Sequence, residues 1–507
     1  MGASPIQGVI NPPSGRGRLH TVWPLVLFLA TGGMLSLAAF SLLSYFGFGI
    51  AALAIVAFPV VLVAAFCGIR DSISQAQALW SEFTWWHWLW LLIFLSSLVF
   101  RVREISAAKS DPLDPWALVR IVPQVLVFAV LMIKLAVRRP AWLSSLFRGV
   151  VGALAVYSMV CLVSSIWSVY PSWTLYKSWE FLVDVALVAL ILAVVESAEE
   201  YRGLLTLTWA LFLVQLLWAW VGVFIWPDEA LHPHIGRTGS YALNGVFPIM
   251  GANSVGEAGA VLAILGLCRL MPLWGASFNR RWNLLLFMFG TVSLVASQTR
   301  SAMAGFVLAI AVFLILSHRT RLAVALAVLG TSLTLLTPMG EILWNFIRRD
   351  QSTAELESLT RRTDWWGFAW HQFSQHPFTG LGAYAAGKFA VLGNLKVNAS
   401  SLHSDYMEVL VGTGFWGMVP LVIAILGTWW LLVRYVRDPS LPVNERQLSL
   451  EAACILAVGT VRSFFDTEFI WHAPLLFLVI LGYAELLRRR RAGEPVGASN
   501  VEVLISA

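Results

Sequence analysis

The feature that most constrains this chain is a series of continuous apolar runs, each about 17 to 25 residues long, that recurs along nearly all of its 507 residues. A helix of that length crosses the ~30 Å hydrocarbon core of a bilayer, and a helix satisfies its own backbone hydrogen bonds in lipid. Hydrophobic residues make up 58% of the chain and charged residues 12%, which excludes a soluble globular protein. We predict an all-α polytopic bundle of about 12 to 14 transmembrane helices.

One of these runs, 282–317, is too long to be a single span. As one helix it would measure about 54 Å at 1.5 Å per residue, well beyond the thickness of the hydrocarbon core. Its only polar cluster is the Ser-Gln-Thr-Arg-Ser sequence at 297–301. The sequence therefore predicts two shorter helices with a break at this cluster.

The distribution of basic residues orients these helices. With the amino terminus in the cytoplasm, most arginine clusters that flank the runs lie on the cytoplasmic side, as the positive-inside rule requires. The net charge of +6 then reflects topology, and no nucleic-acid partner is predicted. This orientation also puts the carboxyl terminus in the cytoplasm and five candidate residues on the external face: Arg237, Arg300, Arg361, Arg362 and His403.

The same pattern divides the chain into four segments. They are N-terminal transmembrane helices without an assigned role (1–145), transmembrane helices with external arginine loops (146–338), a long external loop with interfacial helices (339–403), and C-terminal transmembrane helices with a basic cytoplasmic tail (404–507). A loop as long as the third segment is usually functional when it joins two apolar spans. We therefore expect the chemistry of the protein at the external face.

Two arginines of the external face stand where a ligand can approach the backbone. Arg237 lies in a loop containing Gly and Pro, and Arg300 lies in the 297–301 break. An arginine near lipid needs an anionic partner, because its charge cannot be neutralised. A lipid headgroup, or a carboxylate such as Glu180, Asp184 or Asp466, would satisfy either arginine alone. Together the two suit a diphosphate, whose oxygens accept paired guanidinium hydrogen bonds.

The long loop contains a segment, 359–373, in which aromatic residues alternate with charged ones. This composition is typical of a helix that lies in the membrane interface. One interpretation is a membrane-bound lid without chemistry. The other is that Arg361 or Arg362 binds substrate and completes the anion site.

His403 stands at the boundary of water and lipid, just before a long apolar run, with Asp405 and Glu408 in the first turns that follow. A histidine at the mouth of a helix is often structural. Its near-neutral pKa nevertheless makes it a natural group to take a proton from an acceptor hydroxyl. The four cysteines have no metal-ligand spacing, so neither a metal nor a cofactor is predicted.

Several acidic and basic residues lie towards the external ends of the predicted spans. Glu180 and Asp184 share a helix face at the spacing i, i+4. Arg462 and Asp466 have the same spacing, and Arg120 lies at a similar depth. We interpret these residues as interhelical ion pairs that line an external cavity.

Several short motifs follow one another along this chain and share the predicted external side. In this order they resemble the motifs of the O-antigen ligase/polymerase superfamily of bacterial polytopic membrane glycosyltransferases. The resemblance covers roughly 155–485 and includes a Ser-x-x-Pro-x-x-Ser/Thr turn, an Arg-x-x-Gly…Asn stretch, a Ser-Arg motif, a long-loop motif and a His-Asn-x-Tyr/Phe motif. The matching residues here are 168–174, 237–256, 297–302, 362–382 and 403–406. Ser404 departs from the motif, which has Asn after the histidine.

The resemblance implies transfer of a glycan from an undecaprenyl-diphosphate donor to an acceptor sugar hydroxyl at the periplasmic face of the bacterial inner membrane. It implies that Arg237 and Arg300 hold the diphosphate, that Arg362 assists, and that His403 is the base. Reaction with inversion and without a metal is expected, because a diphosphate is already a good leaving group.

The family resemblance leaves the acceptor open. An O-antigen ligase uses lipid A-core and a polymerase uses another lipid-linked repeat, and we prefer the ligase narrowly. A membrane transporter is a third interpretation, although transporters place substrate near the midplane in repeated halves, and no internal repeat is evident. A non-catalytic assembly subunit is the fourth.

Overall fold

The computed structural model describes residues 83–98, 115–138, 141–233, 241–338, 340–341, 344, 362–397, 399–471 and 474–494. The first two predicted spans, Arg237 and Arg361 lie outside the described residues. The helices before the long loop are α1 (Trp85–Ser97), α2 (Pro115–Arg138), α3 (Ala141–Leu146), α4 (Gly149–Val163), a 3₁₀ turn (Ser164–Ile166), α5 (Pro171–Val194), α6 (Ala198–Ile225), α7 (Pro227–Ala230), α8 (Ala252–Leu270), α9 (Arg280–Ser297), α10 (Arg300–Leu316) and α11 (Thr320–Leu336). From the long loop onwards they are α12 (Arg362–Gln375), a π-helix (Ala386–Leu392), α13 (Asp405–Arg437), α14 (Val443–Phe465) and α15 (Leu475–Arg491).

The described part of the chain is an all-α membrane protein, which confirms the predicted fold class. Six of its segments are long and apolar enough to cross a membrane: Pro115–Val137, Gly149–Ile166, Ala198–Ile225, Ala252–Leu270, Asp405–Arg437 and Val443–Phe465. Helices α10 and α11 are shorter and also apolar. The total of about 12 to 14 spans stays a prediction, since the first runs lie outside the described residues.

The break predicted at 297–301 is present. Helix α9 ends at Ser297 and α10 begins at Arg300. Between them Gln298 adopts a left-handed backbone with φ of 53°, which turns the chain sharply. The side chain of Gln298 donates from Nε2 to the carbonyl of Tyr241 at 2.9 Å. Arg300 therefore stands at the first position of a helix, at the end of the bundle where α9 finishes.

Helices α8 and α9 approach each other closely through small residues. A Cβ atom added at Gly259 would lie 2.7 Å from the backbone nitrogen of Leu294, and one added at Gly290 would lie 2.5 Å from that of Ala263. Transmembrane helices commonly associate through such contacts, because small residues let the two backbones meet. This packing places the start of α8 beside the α9–α10 break.

Helix α13 is interrupted near its amino-terminal end, where the turn at 376–382 packs against it. Gly414 has φ of 59° and ψ of −152°, a conformation that only glycine adopts readily. The freed backbone groups pair with the turn: Leu381 donates to the carbonyl of Val411 at 2.9 Å, and Phe415 donates to that of Pro377 at 2.8 Å. The long loop is thereby fixed to the helix that follows His403.

A second, smaller hydrophobic core lies beneath the long loop. Ala369 of α12, Leu392 of the π-helix, Leu402 and Val411 of α13 are buried in it. The helix predicted in the 359–373 segment is present as α12, which ends before Pro377. Since the core includes residues on both sides of His403, packing of the loop determines where that histidine stands.

Candidate functional site

The loop that contains Arg237 is bracketed by a short hairpin. Strand β1 (Leu231–Pro233) pairs antiparallel with β2 (Tyr241–Leu243). The hydrogen bond from Gln298 to Tyr241 joins this hairpin to the α9–α10 break. Tyr241, the described residue that follows the 234–240 segment, therefore lies beside the turn that carries Arg300.

Arg300 begins α10 next to the start of α8. The preceding residue, Thr299, donates from Oγ1 to the carbonyl of Ala252 at 2.9 Å, so the amino-terminal ends of α8 and α10 are adjacent. Unpaired backbone N–H groups and the helix dipole make such ends favourable for an anion. The Arg300 side chain is half-buried at this position.

Arg362 begins α12 and reaches the carboxyl end of α14. Its Nη1 donates to the carbonyl of Phe465 at 2.5 Å. Burial lowers the pKa of the Arg362 guanidinium, the neighbouring Asp466 carboxylate acts in the opposite direction, and the charge of Arg300 lowers the pKa further. Arg300 is thus close enough in space to lower the pKa of Arg362, although 62 positions separate them (362 − 300).

His403 is held in a specific orientation by a carboxylate. Its Nδ1 lies 3.1 Å from Oδ1 of Asp466. An ionised carboxylate can only accept, so Nδ1 carries the proton and Nε2 is the basic nitrogen. The residue has a left-handed backbone with φ of 53°, and its ring stacks at 6.4 Å on that of Trp365. About a quarter of the His403 side chain, 24%, is exposed.

Asp466 joins three parts of the structure: the end of α14, the start of α8 and the segment before α13. Besides His403, its carboxylate accepts a hydrogen bond from Nδ2 of Asn253 at 2.9 Å and one from the backbone of Thr467 at 3.0 Å, and Arg462 lies 3.6 Å away. Burial alone would raise the pKa of Asp466. The hydrogen bond from His403 and the charge of Arg462 outweigh burial and lower it to about 2. The carboxylate is therefore ionised at any physiological pH.

Arg462 is the buried centre of this network. Its Nε donates to Oε2 of Glu468 at 2.9 Å and its Nη1 donates to the carbonyl of Asn253 at 2.7 Å. Oε2 of Glu257 lies 3.3 Å from Nη2. A buried arginine with this many partners is a fixed structural charge, and it positions Asp466 and the start of α8.

Two other carboxylates fix the backbone around His403. Asp405 accepts hydrogen bonds from the backbone nitrogens of Glu468 and Phe469 at 2.8–3.0 Å. Glu408 accepts one from the nitrogen of Leu402 at 2.6 Å. Ser404, where the family motif has Asn, is buried at the start of α13. The Asp405 and Glu408 carboxylates thus hold the segment that carries His403.

The structure thus brings together Arg300, Arg362 and His403 of the five predicted residues. Arg237 and Arg361 lie outside the described residues, and their roles stay predictions. Sequence reasoning missed that Asp466 is the partner of His403. The predicted pairing of Asp466 with Arg462 is present at 3.6 Å. The only sequence signal for the pairing of Asp466 with His403 is that Asp466 ends an apolar run on the predicted external side.

The interhelical pairing predicted for Arg120 and Glu180 is present. Arg120 donates to both oxygens of Glu180, at 3.1 and 3.0 Å, and Gln124 donates to Asp184 at 3.1 Å.

Within the described ranges no group of three or more His, Cys, Asp or Glu side chains could hold a metal ion. The polar groups of the site are suited to binding an anion and moving a proton.

Residues 284–422 match the family model described as O-antigen ligase. The matched segment contains Arg300, Arg362 and His403 and ends before Asp466. It confirms the predicted resemblance to the O-antigen ligase superfamily, a family that implies glycosyltransferase-like activity on lipid-linked glycans. Comparison with curated proteins gave no match.

Proposed function

From the match of residues 284–422 to the O-antigen ligase family, we propose that this protein transfers a glycan from an undecaprenyl-diphosphate donor to an acceptor sugar hydroxyl at the external face of a bacterial inner membrane. The observation that carries the proposal is the hydrogen bond between His403 and Asp466, with Arg300 and Arg362 beside it. This arrangement supplies a base and two cations at one end of the bundle.

In the proposed reaction His403 is the general base. The acceptor oxygen attacks the anomeric carbon of the donor, the bond from that carbon to the diphosphate breaks, and the electron pair leaves with the diphosphate. The proton of the acceptor hydroxyl passes to Nε2 of His403. Asp466 accepts from Nδ1 and stabilises the imidazolium that forms, the role that a buried carboxylate has in other His-dependent enzymes. A single displacement of this kind inverts the anomeric centre.

Arg300 and Arg362 are the proposed ligands of the diphosphate, with Arg237 and Arg361 as further candidates. Guanidinium groups bind phosphate oxygens in pairs and stay charged when half-buried. Their charge offsets the negative charge that develops on the leaving group, a stabilisation that strengthens in a site with little water. The amino-terminal ends of α8 and α10 add partial positive charge at the same place. We therefore propose that the transfer needs no metal.

We propose a ligase acting on lipid A-core, with polymerisation of lipid-linked repeats as the second form of the same chemistry. Deleting the gene separates the two. Undecorated lipid A-core with accumulated lipid-linked polymer is expected of a ligase, whereas products with a single repeat indicate a polymerase. An unchanged glycan profile in both lipopolysaccharide and secreted polysaccharide contradicts the proposed function.

The roles of the site residues are tested by His403→Ala and Arg300→Ala in the complemented deletion strain. Each variant is expected to abolish the glycan product, because one removes the base and the other a diphosphate ligand. His371→Ala and Arg202→Ala are the matched controls, since His371 is exposed on α12 and Arg202 pairs with Glu199 on the surface of α6. Normal product from His403→Ala, at wild-type protein level, refutes the assignment.

A further inference from the structure

The two adjacent tryptophans near the start of α12 have different surroundings. Nε1 of Trp366 donates to the carbonyl of Leu402 at 2.9 Å, so this indole holds the residue that precedes His403. The ring of Trp365 lies beside the ring of His403 itself, with 6.4 Å between the two centroids and 29° between the two planes. Trp366 therefore supports the backbone of the segment, whereas Trp365 places an aromatic ring next to the proposed base.

The contacts of α12 place Trp365 between the proposed base and the proposed diphosphate site. Arg362 lies three residues before Trp365, and side chains at this spacing are neighbours on a helix surface. Arg362 donates to the carbonyl of Phe465, and the next residue, Asp466, is the partner of His403. A closed circuit of contacts therefore runs from Arg362 through Asp466 and His403 to Trp365.

This part of the site is accessible to a ligand. The His403 side chain is 24% exposed, and Trp365 is partly exposed beside it. Gly251 at the start of α8 is exposed, and a Cβ atom added there would meet nothing within 4 Å. Two residues later, Asn253 donates to the Asp466 carboxylate. Open space therefore lies at the helix end that contacts the partner of the base.

An aromatic face beside a general base suits a sugar ring. One face of a pyranose presents mainly C–H groups, which pack on the negatively polarised face of an indole, while the hydroxyl groups stay at the rim of the sugar. A sugar that lies on Trp365 then presents a rim hydroxyl to Nε2 of His403. In the proposed reaction that hydroxyl belongs to the acceptor, because Arg300 and Arg362 hold the diphosphate of the donor.

We infer that Trp365 is the binding platform for the acceptor sugar, whose ring stacks on the indole and so presents one hydroxyl to His403. The inference deepens the proposed function and rests on it for the roles of the two substrates. It also defines the class of acceptor. The sugar must carry C–H groups on the face next to its reacting hydroxyl, because an axial hydroxyl on that face separates the ring from the indole.

Transfer kinetics with donor and acceptor purified from the deletion strain test the platform. Trp365→Leu is expected to raise the KM for the acceptor about tenfold and to leave the KM for the donor unchanged, since only the stacking face is lost. Trp365→Phe should keep a low acceptor KM, because it restores an aromatic face. Trp370→Leu is the matched control, since Trp370 is 56% exposed on the same helix and packs on Phe373.

A second comparison separates substrate binding from packing, because Trp365 also packs against the small core beneath the long loop. Trp366→Phe removes the N–H group that holds Leu402, so it is expected to lower kcat or the melting temperature at an unchanged acceptor KM. An equal rise in acceptor KM for Trp366→Phe and Trp365→Leu overturns the inference, and so does an unchanged acceptor KM for Trp365→Leu. If Trp365→Leu does not fold, Trp365→Met decides, because it keeps a long apolar side chain without a flat face.

Binding measured without transfer distinguishes a failed platform from a failed function. The probes are core oligosaccharide and polymer oligosaccharide, both released from glycans of the deletion strain and titrated into full-length protein in lipid nanodiscs. Wild type is expected to bind one of them about tenfold more tightly than Trp365→Leu does. That difference without any transfer by wild type refutes the proposed function alone. Transfer by wild type with equal Kd values for the two proteins refutes the platform alone, and the absence of both binding and transfer refutes both.

Discussion

At the scale of single residues, the His403–Asp466 contact gives the two ring nitrogens of His403 different roles. Nδ1 is hydrogen-bonded to the Asp466 carboxylate at 3.1 Å, so the proton transfer of the proposed reaction takes place at Nε2. Asp466 is itself fixed by Asn253 and Arg462. A base oriented by a second group reacts more effectively than a free imidazole, because it does not have to be ordered during the reaction.

Asp466→Asn is therefore expected to lower the rate of glycan transfer by about 10²- to 10⁴-fold, the range found when general acid–base catalysis is lost. The amide still occupies the space, but it cannot stabilise the imidazolium. Initial rates with purified protein measure the effect, and Asp228→Asn is the control, since Asp228 is exposed in the short helix α7. A loss smaller than threefold would show that the carboxylate is not coupled to the base.

The depressed pKa of Asp466 also predicts an acid limit to stability. Its folded-state pKa of about 2 lies below the value of about 3.9 in an unfolded chain, so the carboxylate stabilises the fold fully above about pH 4. That contribution is lost as the pH falls towards 2. Thermal unfolding across this range should show a steeper decline for wild type than for Asp466→Asn. Parallel declines would contradict the shift.

At the scale of elements, the long loop and α13 form one folded unit. The turn at 376–382 pairs with the interrupted backbone around Gly414, and the π-helix packs against Glu408. The loop is thus part of the framework that surrounds His403. Its contribution is to hold the first turns of α13, and with them His403.

Gly414→Ala should disrupt this unit. The new Cβ would lie 2.5 Å from the carbonyl carbon of Phe378, and the backbone conformation itself is strained for alanine, so we expect destabilisation of about 2–4 kcal/mol. Gly367→Ala in α12 is the control, because a Cβ there meets nothing within 4 Å. Melting temperature and transfer activity are the measurements. A Gly414→Ala protein as stable as the control would show that the kink is dispensable.

Much of this element structure could be predicted from the sequence. Helices α6 (Ala198–Ile225) and α11 (Thr320–Leu336) coincide with continuous apolar runs of the sequence, because hydrophobic length in a membrane largely fixes helix length. The break before Arg300 was also evident from its polar residues. By contrast, the pairing of His403 with Asp466 depends on how helices pack, which periodicity does not encode.

At the scale of the whole molecule, the described residues proposed for chemistry lie at one end of the helix bundle. Arg300 begins α10, His403 precedes α13, and Asp466 follows α14. The opposite end carries Arg488 and Arg489, which pair with Glu485. This polarity is what a protein needs if its lipid-linked substrates and its product are all on one side of the membrane.

The orientation is tested by cysteine labelling in intact cells. We expect a membrane-impermeant thiol reagent to label Asp228→Cys without lysis and Arg437→Cys only after lysis, since both positions are exposed and lie at opposite ends of the bundle. Cys161, Cys268 and Cys454 are buried, and wild type provides the background. The reverse labelling pattern would place the site in the cytoplasm.

The backbone N–H groups of Glu468 and Phe469 donate to the Asp405 carboxylate and so join the carboxyl end of α14 directly to the start of α13. His403 and Asp466 flank this tie, one on each helix. When a bilayer thins, thickens or changes composition, membrane helices adapt chiefly by tilting. When either helix tilts, His403 and Asp466 move together. The distance between them is therefore expected to change little with the thickness or composition of the membrane. Catalytic competence should therefore depend little on the lipids that surround the protein.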